Sequence, residues 1–277
     1  RQFLDHGNLL SEIIWHLAKL YYHTTNWEAC VFVQATNITL SGLTLTGADS
    51  GVQHAVRRPA LTAFDRCVIS NVTVGAGISR TYYNAYSRGR MAFRQCRITG
   101  CDEGILPGAR NTIDLLNTLV ANCSVGVRTE SENFGPVNAL SYTTLSGNAT
   151  NFWARYDNDC ATVFTNSLVT GGLYGILHSA NPAQTVTLCN TFVANNAVNT
   201  WSPKFKIVAN AASYTNDVEH LLQPGTFELD PRSPALNAAL DIGVATDLDG
   251  RGRPRQGGFD VGALELQPPA ATLLLLR

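Results

Sequence analysis

Three charged side chains combine suitable types with suitable spacing: Asp65, Arg94 and Asp114. If the segments that carry them stack as neighbouring strands, they fall on one face, about 5–10 Å apart. Two carboxylates there could supply the hard oxygen ligands that a cation such as Ca²⁺ requires. A cation would then stabilise a developing enolate, with Arg94 as base or clamp. Two acids flanking a bond at about 5–9.5 Å are also the geometry of glycoside hydrolysis. A third arrangement does no chemistry: an Asp–Arg–Asp ladder between adjacent strands, of the kind worth about 0–1 kcal/mol on a surface.

The connections feeding this face are rich in recognition chemistry. One brings His54, Arg57 and Arg58; the next, ISRTYYNAYSRGR over 78–90, brings Arg80, Tyr82, Tyr83, Arg88 and Arg90. Aromatic rings stack on sugar faces, and guanidinium groups pair with uronate or sulfate. A purely structural account also exists, with the tyrosines folded over apolar surface. Glu130, Glu132, Arg155, Asp157 and Asp159 form a second polar set, which reads as a solvated face. His178 is a lone histidine in a loop. Asp247-Leu-Asp249-Gly250 has calcium-loop character without the later ligands, so a turn is expected there. No phosphate loop, nucleophile elbow or HExxH occurs.

A repeat must position these residues. The clearest unit is IDLLNTLVANCSVGVR, 113–128, and it recurs. With Val120 as anchor, the equivalent residues are Leu45, Ile69, Ile98, Leu145, Val169 and Val193, at spacings of 24, 29, 22, 25, 24 and 24. Five residues before each anchor the side chain is large and apolar. Two and six residues after it every register holds Gly or Asn. Those types suit left-handed turn conformations, and the Asn entries are expected to bond along the axis as a ladder. A period near 24 with three short strands per turn implies a parallel β-helix, here about 7–8 coils over 31–210, with residues 205–210 as a last partial turn. Variable loops on one face of such a coil are where function concentrates.

Residues 9–22 have helical apolar spacing, so an amphipathic helix within 1–30 is expected to cap the first edge. Residues 211–277 read as a loop-rich C-terminal cap, with a strand at 261–266. The whole is expected to be one structural domain. Charged residues are only 15% and net charge is −1, which argues against a nucleic-acid partner. The apolar run at 273–276 is too short to span a bilayer. No signal peptide is visible, but Arg1 is not an initiator Met, so the chain is expected to be processed, truncated or a fragment, which leaves room for a lost export signal. The seven cysteines include no CxxC. Cys67 and Cys96 share one small-residue column, and Cys101 and Cys123 another, which reads as burial, with a disulfide within either pair also compatible with the spacing. Asn37, Asn71, Asn122 and Asn148 sit in glycosylation sequons.

The C-terminal motifs carry a family resemblance. DPRSPALNA from Asp230, DLDGRGRP from Asp247 and DVGALE from Asp260 resemble the signature of choice-of-anchor Q domain proteins. That resemblance implies a right-handed parallel β-helix, bacterial origin, export and residence at or outside the cell surface. It implies no single activity. Carbohydrate binding or a structural, adhesive role is the expectation. The alternative is an enzyme similar to polysaccharide lyases of this fold, such as pectate lyases, which act on an acidic polysaccharide through Ca²⁺. There Asp65 and Asp114 would be ligands and Arg94 the base, with His54, Arg80, Tyr82, Tyr83, Arg88 and Arg90 binding the sugar.

Overall fold

The computed structural model describes residues 29–33, 37–54, 61–78, 89–107, 111–129, 137–155, 161–178, 185–201, 206–255 and 257–267. Within them the chain is an all-β parallel solenoid without helices. The first strands of successive rungs form an entry sheet of eight: Ile38–Ser41, Leu61–Asp65, Arg90–Arg94, Thr112–Leu116, Asn138–Ser141, Thr162–Thr165, Thr185–Cys189 and Lys206–Ala209. The second strands form an anchor sheet of seven: Thr44–Thr46, Val68–Ser70, Arg97–Thr99, Leu119–Ala121, Thr144–Ser146, Leu168–Thr170 and Phe192–Ala194. The third form an exit sheet of eight, running from Ala29–Val33 to Val198–Trp201.

Like stacks on like because the register is strict. Phe64 pairs with Phe93, Phe93 with Leu115, and Leu115 with Leu140. Phe64 and Phe93 stack with ring centroids 4.6 Å apart and planes 7° from parallel. Every anchor from Ile69 to Val193 is fully buried. Burying one such side chain contributes about 1.5–3 kcal/mol, against about 1–2 kcal/mol for ordering its backbone. A rung therefore holds only between neighbours that bury both its edges.

Two left-handed columns turn the chain. The Gly/Asn column two residues after the anchor has φ between 53° and 73° at all seven positions. A second column, three residues before the anchor, runs Gly42, Arg66, Gln95, Asn117, Tyr142, Asn166, Asn190 with φ between 46° and 65°. Its residue types hide it in the sequence. Tyr142 tolerates the conformation because its ring is fully buried and its hydroxyl donates to the Leu240 carbonyl at 2.6 Å. The column six residues after the anchor has a different cause. Gly175 is not left-handed; a Cβ there would lie 2.4 Å from the Asn199 carbonyl oxygen, so adjacent rungs require its absence. The asparagine ladder takes two members from this same column, Asn151 and Asn199, and two, Asn148 and Asn196, from the residue that follows the left-handed turn. Asn148, Asn151, Asn196 and Asn199 form it inside the coil, with Asn148 donating to Asn151 and Asn151 to Asn196, both at 2.8 Å. Asn148 is fully buried, whereas the sequon residues Asn37, Asn71 and Asn122 are exposed.

The C-terminal segment differs from the expected cap. It half-closes the last rung, where Ser213 and Asp217 accept from Thr191 and Asn195 backbone N–H groups. It then runs back along the flank of the anchor sheet. Asn190 donates to Ala238, Asn166 to Leu240 and Asn117 to Thr246, so the arm crosses successive rungs towards the N-terminal end. Leu248, Ala263 and Leu264 cover Leu119 and Ala121, while Leu221, Leu229, Ala235 and Val261 cover Leu168, Phe192 and Ala194. No strand forms at 261–266; Gly262 has φ 102°, which breaks an extended run. The predicted N-terminal helix lies outside the described residues. Among them, no helix is long and apolar enough to cross a membrane.

Candidate functional site

The outward side of the entry sheet carries the predicted residues. Its strands alternate buried and exposed positions, as Leu61–Asp65 shows: Thr62 and Phe64 face in, and Leu61, Ala63 and Asp65 face out. In register across the sheet, one outward row reads Thr39, Ala63, Ala92, Asp114, Ala139, Val163, Thr187, Val208. The next reads Ser41, Asp65, Arg94, Leu116, Ser141, Thr165, Cys189. These two rows are thus mostly small or β-branched side chains, Leu116 apart, and their charged members sit on three consecutive strands.

Asp65 and Arg94 are direct register partners on adjacent rungs. Asp114 lies one rung further on and two residues back, opposite Ala92. Each carboxylate has its own cation. Asp65 accepts from Arg66 Nε at 2.9 Å and from the Ser41 hydroxyl at 3.2 Å. Asp114 accepts from Arg90 Nε, and that bond raises the Arg90 guanidinium above its usual value. Arg94 is exposed and forms no ion pair among the described residues. The two acids therefore occupy separate rows, each neutralised locally. No group of three or more His, Cys, Asp or Glu able to hold a metal occurs among the described residues. For His54 only the backbone is described, at the end of its exit strand. Arg57, Arg58, Arg80, Tyr82, Tyr83, Arg88, Glu130, Glu132, Asp157 and Asp159 lie outside the described residues. Arg155 stacks over Trp153 with its guanidinium 5.3 Å from the ring centroid, and Arg128 does the same at 5.7 Å. His178 is fully buried rather than displayed in a loop.

The residues of the C-terminal motifs bind one another. Arg253 and Glu265 form an ion pair at 2.6 Å with both side chains fully buried. Arg253 also donates to the Asp260 and Gly262 carbonyls, and its guanidinium lies 4.2 Å from the Tyr142 ring centroid. Asp247 accepts from the Asp249 and Arg251 backbone, closing the expected turn, and from Glu265 N. Asp260 accepts from Asn237 N and Leu266 N. Burial pushes the Glu265 carboxyl up to about 7, against the pull of the Arg253 charge. This cluster fastens the arm to the coil and presents nothing to solvent.

Five cysteines are free: Cys67, Cys96, Cys101 and Cys123, all buried, and Cys189, half-buried. Neither stacked pair is a disulfide. The bond with Cys96 lowers the Cys67 thiol to about 7 and raises that of Cys96.

Two cavities among the described residues lie away from the entry face. One is an open trough of about 570 Å³ along the turns Gly100, Asn122, Gly147 and Gly171. Another, of about 380 Å³, lies between the anchor sheet and the arm, and is lined by His220, Asp230 and Arg232. Sequence reading missed the second: His220 carries no motif, and Asp230 is legible only as part of DPRSP. No family model matches the chain, and no curated protein or solved structure does.

Proposed function

We propose that this chain is an exported bacterial β-helix protein of the choice-of-anchor Q type. Its entry face would bind an extended acidic carbohydrate, and its role would be binding or adhesive rather than catalytic. The observation that carries this reading is the entry face itself: a floor of mostly small and β-branched residues across eight strands, roughly 34 Å at 4.8 Å per strand, with Arg94 and Arg90 both exposed, Arg90 paired to Asp114. A flat ledge bearing guanidinium groups suits a polymer that lies across many rungs, since Arg pairs carboxylate or sulfate in two-point fashion. The lyase or hydrolase alternative needs Asp65 and Asp114 to act on one centre. Their separate rows and separate arginine partners weigh against that, and against a shared Ca²⁺.

Export and surface residence rest on the motif resemblance alone. The buried thiols fit an oxidising compartment only through their shielding. The test is affinity electrophoresis in gels containing polyuronate, sulfated or neutral polysaccharide. Retardation is expected in the acidic gels, and it should be lost in Arg90→Ala/Arg94→Ala. Equal migration in all gels would refute the proposal.

A further inference from the structure

The cavity beneath the C-terminal arm is built from two sources. The coil supplies its floor: Ser146 and Thr170, register partners on adjacent anchor strands, with the turn residues Gly171 and Asn195 beside them. The arm supplies the walls. Leu222 and Leu229 pair antiparallel around a turn closed by Thr226 N donating to Gln223 O at 3.1 Å. His220 precedes the first arm of this hairpin and Asp230 follows the second, so the hairpin sets them side by side. Asn195 fixes the assembly by exchanging both of its side-chain hydrogen bonds with the Val218 backbone, at 2.8 Å each.

Three features go beyond packing. Ser146 and Thr170 are 6% and 3% exposed, and their hydroxyls, which bond no other group among the described residues, open to the cavity instead of being sealed in the core. The neighbouring Thr144 and Ser167 hydroxyls are all engaged. Second, His220 lines the cavity from a left-handed turn, φ 56°. Third, Arg232 grips Asp230 at 3.0 and 3.2 Å, so the two charges cancel at the rim while further guanidinium N–H groups stay available. Leu222 and Pro224 add an apolar side. At about 380 Å³ the cavity falls at the small end of ligand pockets, which run from about 300 to 1,000 Å³.

We infer that this cavity is a binding site for a single neutral sugar residue, with the Ser146 and Thr170 hydroxyls, Asp230–Arg232 and His220 reading its hydroxyls and Leu222 and Pro224 covering its apolar face. A charge-balanced pocket with unpartnered hydroxyls disfavours an anion, which would want an uncompensated cation. The amphipathic walls match a ring that is apolar on one side and hydroxylated at its edge. The site is separate from the entry face and does not depend on glycan binding there.

Saturation-transfer NMR on the full chain, with a panel of free hexoses, N-acetylhexosamines and hexuronic acids, tests it. Transfer to at least one neutral sugar is expected. Thr170→Val, isosteric and at home in a strand, should weaken it about tenfold, the loss of one well-placed hydrogen bond. Arg232→Leu should abolish it. His220→Asn retains a residue that tolerates the left-handed backbone, so its loss of binding would report the imidazole rather than the fold. Arg90→Ala/Arg94→Ala should bind the monosaccharide normally, which separates this site from the entry face. No transfer to any neutral sugar, transfer to the acids alone, or unchanged binding in Thr170→Val and Arg232→Leu would each overturn the inference.

Discussion

Replacing Arg253 by Met removes the cation at the centre of the arm's buried cluster. The side chain is fully buried, as is its partner Glu265, so the change leaves a carboxylate without its counter-charge and frees two carbonyls, those of Asp260 and Gly262. Breaking a buried pair from one side costs about 3–5 kcal/mol. Removing both sides costs less, so Arg253→Met/Glu265→Met should lose about 1–3 kcal/mol, mainly from the Arg255 and Asp260 N–H groups that Glu265 now satisfies. The loss should fall on the arm and spare the coil, because the cluster contacts the rungs chiefly through Tyr142 and Thr144. Native-state hydrogen exchange reads it directly. The amides of Leu248, Val261 and Glu265 should open more easily by that amount, while those of Val120 and Val169 hold. The penalty has a pH sign. Glu265 already has its carboxyl raised to about 7 by burial, and without Arg253 it rises further. A carboxyl whose folded pKa exceeds its unfolded value of about 4.3 contributes stability present in full below that value and lost as pH climbs through the folded one. Arg253→Met should therefore be more damaging at pH 8 than at pH 5. A change below about 1 kcal/mol, or equal loss of protection in arm and coil, would refute the reasoning.

Further expectations follow from the coil. Gly175→Ala should destabilise by about 1–3 kcal/mol in urea unfolding, since its Cβ would meet the Asn199 carbonyl at 2.4 Å. Gly252→Ala, with nothing within 4 Å, should change stability little. Phe93→Ala should cost about 3–5 kcal/mol by opening a cavity against Phe64, measured the same way. A maleimide should leave Cys67, Cys96, Cys101 and Cys123 unmodified in the native protein and label all four in denaturant, as mapped by peptide mass spectrometry.

The solenoid was legible because one period governs both packing and turns: the anchor column and the apolar column before it are the interior ladders, and the Gly/Asn column after it is a left-handed turn. The second left-handed column was not legible. Arg66, Gln95 and Tyr142 hold a conformation that tertiary pairing imposes rather than one their types prefer. The Gly at 104 and 175 could be seen but not explained, because close approach of two rungs is a contact across 22 to 24 residues and leaves the same mark as a turn. The C-terminal motifs announced a compact unit, yet not that it would lie along the flank. That course depends on bonds such as Gln95 to Asp247, 152 residues apart. On the entry face, parity correctly put Asp65, Arg94 and Asp114 outward. It could not reveal that Arg66 and Arg90 claim the two carboxylates, since those pairings depend on a left-handed turn and on a diagonal across rungs.

The most direct test of a binding rather than a cleaving entry face is a single incubation with uronate polysaccharides, with and without Ca²⁺. The products are analysed by mass spectrometry and the protein's retention on the same polymers is recorded. The account predicts retention that requires Arg90 and Arg94, with the polymer recovered at its original length. Unsaturated or hydrolysed fragments that disappear in Asp65→Asn or Arg94→Ala would contradict it.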